Sequence, residues 1–308
     1  ADGAIALTGP VTLAGDITVD ADANNTSVTF NSTATVNSDN TGTKRDLTIN
    51  TGAGAVAMQG IIGGSVALDA ISINAATAGA GTVEVANIAG AAGAVSIGNG
   101  ATATLTLDGT TYTSTGAQTY EANDINITAG ADVTFTTTNT AVEFQDGAAG
   151  QIVLSDATDL TITTSGGDIT IAPTIAGTDS GGGGNTAEDI TLNAAGGTVT
   201  LSNTGAAVLA TEIGDVTLTG ATIALSNSIT STGANSAGST ATIDINGAVT
   251  LNDNDITITT GGAGIDFSST IVSGSTTPRA LTIAQGAGAV VINGNIGGTA
   301  NNDVGNIT

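Results

Sequence analysis

Apolar and polar positions along this chain alternate in short bursts. A triplet of the form apolar–Thr–apolar recurs as Val11-Thr12-Leu13, Val28-Thr29-Phe30, Leu47-Thr48-Ile49 and Val133-Thr134-Phe135. It returns as Leu160-Thr161-Ile162, Ile190-Thr191-Leu192, Val216-Thr217-Leu218 and Leu281-Thr282-Ile283. A period of two makes each triplet a short strand, with two side chains inward and Thr outward. Gly, Asn, Asp or Ala bounds nearly every triplet, and no stretch sustains a 3.6 period. The pattern therefore predicts strand and turn almost throughout, with essentially no helix.

The triplets fall into sets of three. Leu160, Ile169 and Ile175 mark one set; Ile190, Val199 and Val208 the next; Val216, Ile223 and Ile229 the next. After Ile243 and Val249 come Ile256, Ile265 and Ile271, then Leu281, Val290 and Ile296. Three short strands per set is the arrangement of a parallel β-solenoid, in which each coil buries its apolar side only against its neighbours. The expectation is an all-β, right-handed parallel β-helix of about twelve coils, each of three short strands. It is expected to run continuously over residues 1–308, with loops leaving it near 38–44, 177–189 and 232–240.

A longer repeat lies over this short one. Residues 45–64 and 279–298 agree at 13 of 20 positions, both opening on Arg-x-Leu-Thr-Ile and closing on Ile-Gly-Gly. Val11-Thr12-Leu13 before Asp16-Ile17-Thr18-Val19 likewise returns as Val249-Thr250-Leu251 before Asp255-Ile256-Thr257-Ile258. Ala1 and Thr308 both fall inside the pattern, so the chain reads as part of a longer repeat protein.

Composition narrows the picture. Aromatics are 2%, Cys and Trp are absent, and 45 residues are Gly. Ala, Val, Ile and Leu must fill the core, which suits an interior only a few side chains across. Phe30, Phe135, Phe144 and Phe267 occupy strand positions and read as core. Twenty-seven acidic residues stand against Lys44, Arg45 and Arg279, a net charge of −24. Such a surface repels phosphate backbones and anionic lipid, and attracts cations.

Thr111-Tyr112-Thr113-Ser114-Thr115-Gly116-Ala117-Gln118-Thr119-Tyr120, followed by Asp124-Ile125-Asn126-Ile127, resembles a recurring motif of haemagglutinin-like β-strand-repeat proteins. Val28-Thr29-Phe30-Asn31-Ser32 and Leu47-Thr48-Ile49-Asn50 are similar to other phrases of the same repeat. These are large secreted bacterial surface proteins of the filamentous-haemagglutinin type. The resemblance implies a right-handed β-helix exported to the cell surface as an adhesin stalk, fibre or matrix component.

Candidate chemistry is sparse. With no His and no Cys, neither a Ser/His/Asp triad nor a thiol nucleophile can be assembled. Carboxylate pairs such as Asp253/Asp255 fall on a polar turn without aromatics to stack a sugar, so the chain is expected not to be an enzyme. Asp20-Ala21-Asp22-Ala23-Asn24 has the one-three-five oxygen spacing of a calcium loop, with Asn31 where a Glu would complete it. Asn252-Asp253-Asn254-Asp255 is a second oxygen-rich turn. Asp20, Asp22, Asn24, Asp253 and Asp255 are therefore the candidate calcium ligands, set against the plain reading of Asp and Asn as turn formers. Gly261-Gly262-Ala263-Gly264-Ile265-Asp266 is similar to a calcium nonapeptide but occurs once. No other cofactor is suggested.

Outward Thr residues at positions 48, 161, 191, 217, 257 and 282 would stack into ladders, as on an ice-binding or adhesive face. The favoured expectation is a structural one: a segment of an extracellular bacterial fibre, stalk or sheath whose partner is itself, joined head to tail or in tandem. Extracellular glycans and cations are the other partners this surface would meet; nucleic acid and membrane insertion are not expected.

Overall fold

The computed structural model describes residues 3–76, 79–147, 150–156, 158–178, 187–202, 213–233, 240–298 and 303–308. Strand dominates, and one 3-10 turn at Asp22–Asn24 is the only helical element among the described residues. Two compact units make up the chain: residues 1–129 with 133–150, and residues 130–132 with 151–308.

In the first unit, three ladders of parallel strands are visited in turn by each circuit of the chain. Ile5, Val28, Val56, Val83, Leu105 and Ile125 stack in register on one. Val11, Val36, Ile62, Ile88, Tyr112 and Phe135 form the second. Ile17, Leu47, Ile71, Val95, Gln118 and Val142 form the third. One circuit through the three is one coil, and the fold is a parallel β-solenoid. The triplets behave as their period demands: Leu47 and Ile49 are buried while Thr48 between them faces outward, half-buried.

The second unit repeats this plan. Leu160, Ile190, Val216, Ile243, Ile265 and Val290 are stacked rungs of one ladder. Ile169, Val199, Ile223, Val249, Ile271 and Ile296 make another. The third side is described in pieces: Ile152 on Ile175, then Ile229, Ile258 and Ile283, with Leu281 on Ile307.

Several details depart from the sequence expectation. In two coils the short strands fuse, giving Ile213–Leu225 and Ile243–Leu251 in place of two triplets each. Both turn the corner at a glycine, and a Cβ on Gly247 would lie 2.2 Å from the Gly220 carbonyl oxygen one coil away. Close coil approach at the corner, which lets the ladder continue unbroken, depends on the missing side chain there. The loop expected over 177–189 is also too wide. Gly177 ends strand Thr174–Gly177, and Glu188 and Asp189 open strand Glu188–Asn193, because alternation around Ile190 carries the strand back two residues. Residues 179–186 of that loop and 234–239 of the one near 232–240 lie outside the described residues, as does Val208. In the 38–44 loop Ser38 still belongs to strand Val36–Ser38, and the remainder is tied by Arg45 Nε donating to Asp39 Oδ1 at 2.8 Å.

The four phenylalanines are core, all at most 2% exposed. Two of them, Phe135 and Phe144, gather with the two tyrosines. Tyr112 stacks on Phe135 one coil on, with ring centroids 4.7 Å apart and planes 9° apart. Tyr120 stacks on Phe144 at 5.1 Å, and the two stacks meet edge to face. Polar atoms in this core are satisfied: the Tyr112 hydroxyl donates to Val85 O at 2.9 Å, and Tyr120 donates to Gln118 Oε1 at 3.0 Å. Gln118, fully buried where Val95 and Val142 stand in neighbouring coils, donates in turn to the carbonyls of Tyr112 and Thr136.

Candidate functional site

Of the candidate calcium ligands, Asp20 and Asp22 are brought together. Asp20 ends strand Ile17–Asp20, and the 3-10 turn folds Asp22 back so that its N–H donates to Asp20 Oδ1 at 3.3 Å. A hydrogen bond between the carboxyls, then the Asp20 charge, raises the Asp22 pKa above the ordinary carboxylate value. Asn24 closes the same turn, and Asn25 beyond it takes a left-handed conformation with φ 51°. The Asn25 side chain works between coils, its Oδ1 accepting the Ala53 N–H at 2.7 Å.

Asp253 and Asp255 have separate surroundings. Asp255 Oδ1 accepts the Ala280 N–H at 2.8 Å in the next coil, and Asp253 is exposed. Between them Asn254 donates to Ser226 O at 2.8 Å, and Arg279 Nε donates to Asn252 O at 3.2 Å. Among the described residues, no group of three or more His, Cys, Asp or Glu could hold a metal ion.

Asp255 belongs to a set that the triplets alone do not single out. Asp16 Oδ1 accepts the Asp46 N–H at 3.1 Å, and Asp46 Oδ1 accepts the Ala70 N–H at 2.9 Å. In the second unit Asp159 accepts from Asp189 at 2.8 Å, Asp189 from Asp215 at 2.6 Å, and Asp215 from Thr242 at 2.6 Å. Asp168 does the same for Thr198 at 2.7 Å. Every recipient directly precedes the first buried aliphatic residue of a rung, one coil on. Its carbonyl is often taken as well: Ile17 N–H donates to Asp46 O at 2.9 Å, and Val216 N–H to Thr242 O at 2.9 Å. Aspartate thus clips the entry of a rung to the coil before it, supplying an acceptor that the backbone there does not. The signal in the sequence is Asp immediately before the triplet, as in Asp46-Leu47-Thr48-Ile49, Asp189-Ile190-Thr191-Leu192 and Asp215-Val216-Thr217-Leu218.

Stacking carboxylates at the strand-to-strand repeat of about 4.8 Å has an electrostatic consequence. Partial burial, with Asp189 and Asp132 adding charge repulsion, raises the Asp159 pKa. Asp244, in register with Asp266, is raised by burial and by the charges of Asp266 and Asp215.

The outward threonines do not form one ladder. In the second unit Thr161, Thr191 and Thr217 stack, flanked by Thr163, Asn193 and Thr219. The row then passes to Asp244 and Asp266. Thr257 and Thr282 stack on a different side, and Thr48 in the first unit lies between Thr18 and Ser72.

The triplet pattern gives no sign of the large aliphatic side chains that each unit exposes. Ile17 in the first unit is 40% exposed; in the second, Val290 and Val291 are each 40%, Ile296 37% and Ile307 49%. These residues sit on rungs that have a neighbour on one side only among the described residues. Ile61, at 41%, is the exception, standing just ahead of a rung covered on both sides. No family model, curated protein or solved structure matches the chain significantly. No helix among the described residues is long and apolar enough to cross a membrane.

Proposed function

We propose that the chain is a structural segment of an extracellular bacterial fibre, stalk or sheath, built by stacking β-solenoid coils end on. The observation that supports this reading is the succession of in-register parallel rungs in each unit, a stack in which every coil buries its apolar side against its neighbours. The outermost coil of any such stack presents strand edges that recruit a further coil unless they are covered. An end-on contact between solenoid coils of different copies is heterologous and need not close, so it propagates into a filament. Carboxylates along the sides set copies apart laterally, and added salt or calcium relaxes that repulsion. The secreted surface location is supported by the resemblance of Thr111–Tyr120 and its neighbours to haemagglutinin-like repeats.

Sedimentation velocity and negative-stain imaging across a concentration series test the proposal. Filaments that lengthen with concentration are expected. Dispersed monomers throughout, at both low and high salt, would overturn it.

A further inference from the structure

We infer that Asn293-Gly294 is a self-modification site, at which the folded chain deamidates itself. The Gly294 nitrogen attacks Asn293 Cγ and closes a succinimide ring. The Cγ–Nδ2 bond breaks, and the departing nitrogen takes up the Gly294 amide proton and leaves as ammonia. Water then opens the ring at either carbonyl, giving aspartate from one and isoaspartate from the other. The reaction needs no second copy of the chain.

Three Asn-Gly pairs occur in the chain, at 99–100, 246–247 and 293–294, and the fold treats them differently. Asn246 lies inside strand Ile243–Leu251, in register with Thr219. Extended backbone turns the following nitrogen away from the side chain, so the ring cannot close there without leaving the ladder. Asn99 is clamped through its amide: Oδ1 accepts the Ala101 N–H at 2.8 Å, and Nδ2 donates to Asn74 O in the coil before. Asn293 stands just past the end of strand Val290–Ile292 and is exposed. Gly294 N–H, the attacking group, has no acceptor among the described residues. Glycine also places no Cβ beside that nitrogen.

The long internal repeat supplies a comparison, because Gln59-Gly60 holds the matching place in the first unit. Gln59 is exposed too, although strand Val56–Met58 before it is paired on both sides. Exposure at this position therefore belongs to the fold. A Cβ on Gly60 would lie 2.4 Å from Ala34 O, and one on Gly294 would lie 2.3 Å from Ser269 O, so the coil before fixes each glycine. Gln59 Nε2 donates to Glu84 Oε1 at 3.2 Å, and Asn293 Nδ2 donates to Asp266 Oδ1 at 3.1 Å. The chief difference is ring size: the longer Gln59 side chain must close a larger ring, which forms more slowly. Deamidation turns the Asn293 donor into a carboxylate beside Asp266, which is in register with Asp244. A hydrogen bond becomes a repulsion, added to a column where burial and neighbouring charge already raise the Asp244 pKa. Isoaspartate instead lengthens the main chain by a methylene and shifts Ile296 off Ile271. Either product loosens this coil.

Mass mapping of the full chain, held folded in mildly alkaline buffer, tests the site. An Asp-specific protease puts Gln59, Asn99, Asn246 and Asn293 on separate fragments. The Asn293 fragment should gain the mass of amide-to-acid exchange severalfold faster than those carrying Asn246 or Asn99, with the Gln59 fragment unchanged. New cleavage ahead of residue 293 counts aspartate, while isoaspartate is left uncut. In urea the three pairs should converge to similar rates, because the ladder restraining Asn246 and the bonds clamping Asn99 are gone. Asn293→Gln should silence the reaction. Asn293→Asp should lower the urea midpoint at neutral pH, and adding Asp266→Asn should restore part of the loss; an unchanged midpoint would overturn the loosening. A folded chain whose Asn293 fragment stays intact while the urea-unfolded chain reacts, or in which Asn246 or Asn99 converts first, would overturn the site itself.

Discussion

Phe135→Ala is the sharpest perturbation of the core. The ring is fully buried, stacked at 4.7 Å on Tyr112, and meets Tyr120 and Phe144 edge to face at 5.2 and 5.1 Å. Truncating a buried Phe costs about 3–5 kcal/mol, of which each favourable aromatic pair accounts for about 0.5–1.5 kcal/mol. The rungs on both sides are pinned by ladder hydrogen bonds, so the cavity cannot collapse and the upper half of that range, about 4 kcal/mol, is expected. The assay is urea denaturation followed by tyrosine fluorescence. The chain has no Trp and two Tyr, both in this cluster, so the signal reports on it alone. Phe135→Leu, which refills part of the volume, should lose about half as much. A fluorescence transition for Phe135→Ala within about 1 kcal/mol of the unmutated chain would refute the idea that the cluster braces these coils.

The same geometry sets other outcomes. Asp46→Ala removes the acceptor of the Ala70 N–H and should cost about 1–2 kcal/mol in urea melts, whereas Asp46→Asn, which keeps an oxygen there, should recover most of it. Burial holds the Tyr112 and Tyr120 phenols protonated well above their ordinary value of about 10. Stability should therefore fall as pH rises past that value, where the unfolded chain ionises first, and phenolate absorbance should appear only with loss of circular dichroism. The raised Asp244 carboxyl favours the fold below the ordinary carboxylate pKa, a gain lost as pH rises through its folded value. Asp244→Asn should accordingly raise the urea midpoint at about pH 7 and leave it unchanged near pH 4.

Much of this architecture is legible in the sequence because period-two triplets have few ways to bury two aliphatic side chains. The rungs at Leu160, Ile169, Ile175, Val216, Ile223 and Ile229 fall where spacing puts them, the three of each set on three different sides of the coil. Fusion of triplets across Gly220 and Gly247 is not legible, since glycine at a corner signals either a break or a tight continuous bend, and only the neighbouring coil decides. Aspartate reads locally as turn chemistry, yet much of its hydrogen bonding runs between coils. That role depends on a residue 24 to 30 positions away, as with Asp46 and Ala70 or Asp159 and Asp189. A triplet does not say which side of the coil it occupies, so its threonines suggest longer ladders than the fold builds. The aromatic cluster needs Tyr112 on Phe135, a pairing across coils that local pattern does not encode.

Whether these triplets are in-register rungs of parallel ladders can be read from inter-strand nuclear Overhauser contacts on labelled protein. Amide contacts should link Thr48 to Ser72 and Thr191 to Thr217, with no strong Hα–Hα contacts between those strands. Strong Hα–Hα cross-peaks, which mark the close non-hydrogen-bonded pairs of antiparallel strands, or sequential helical contacts through these segments, would rule the solenoid out.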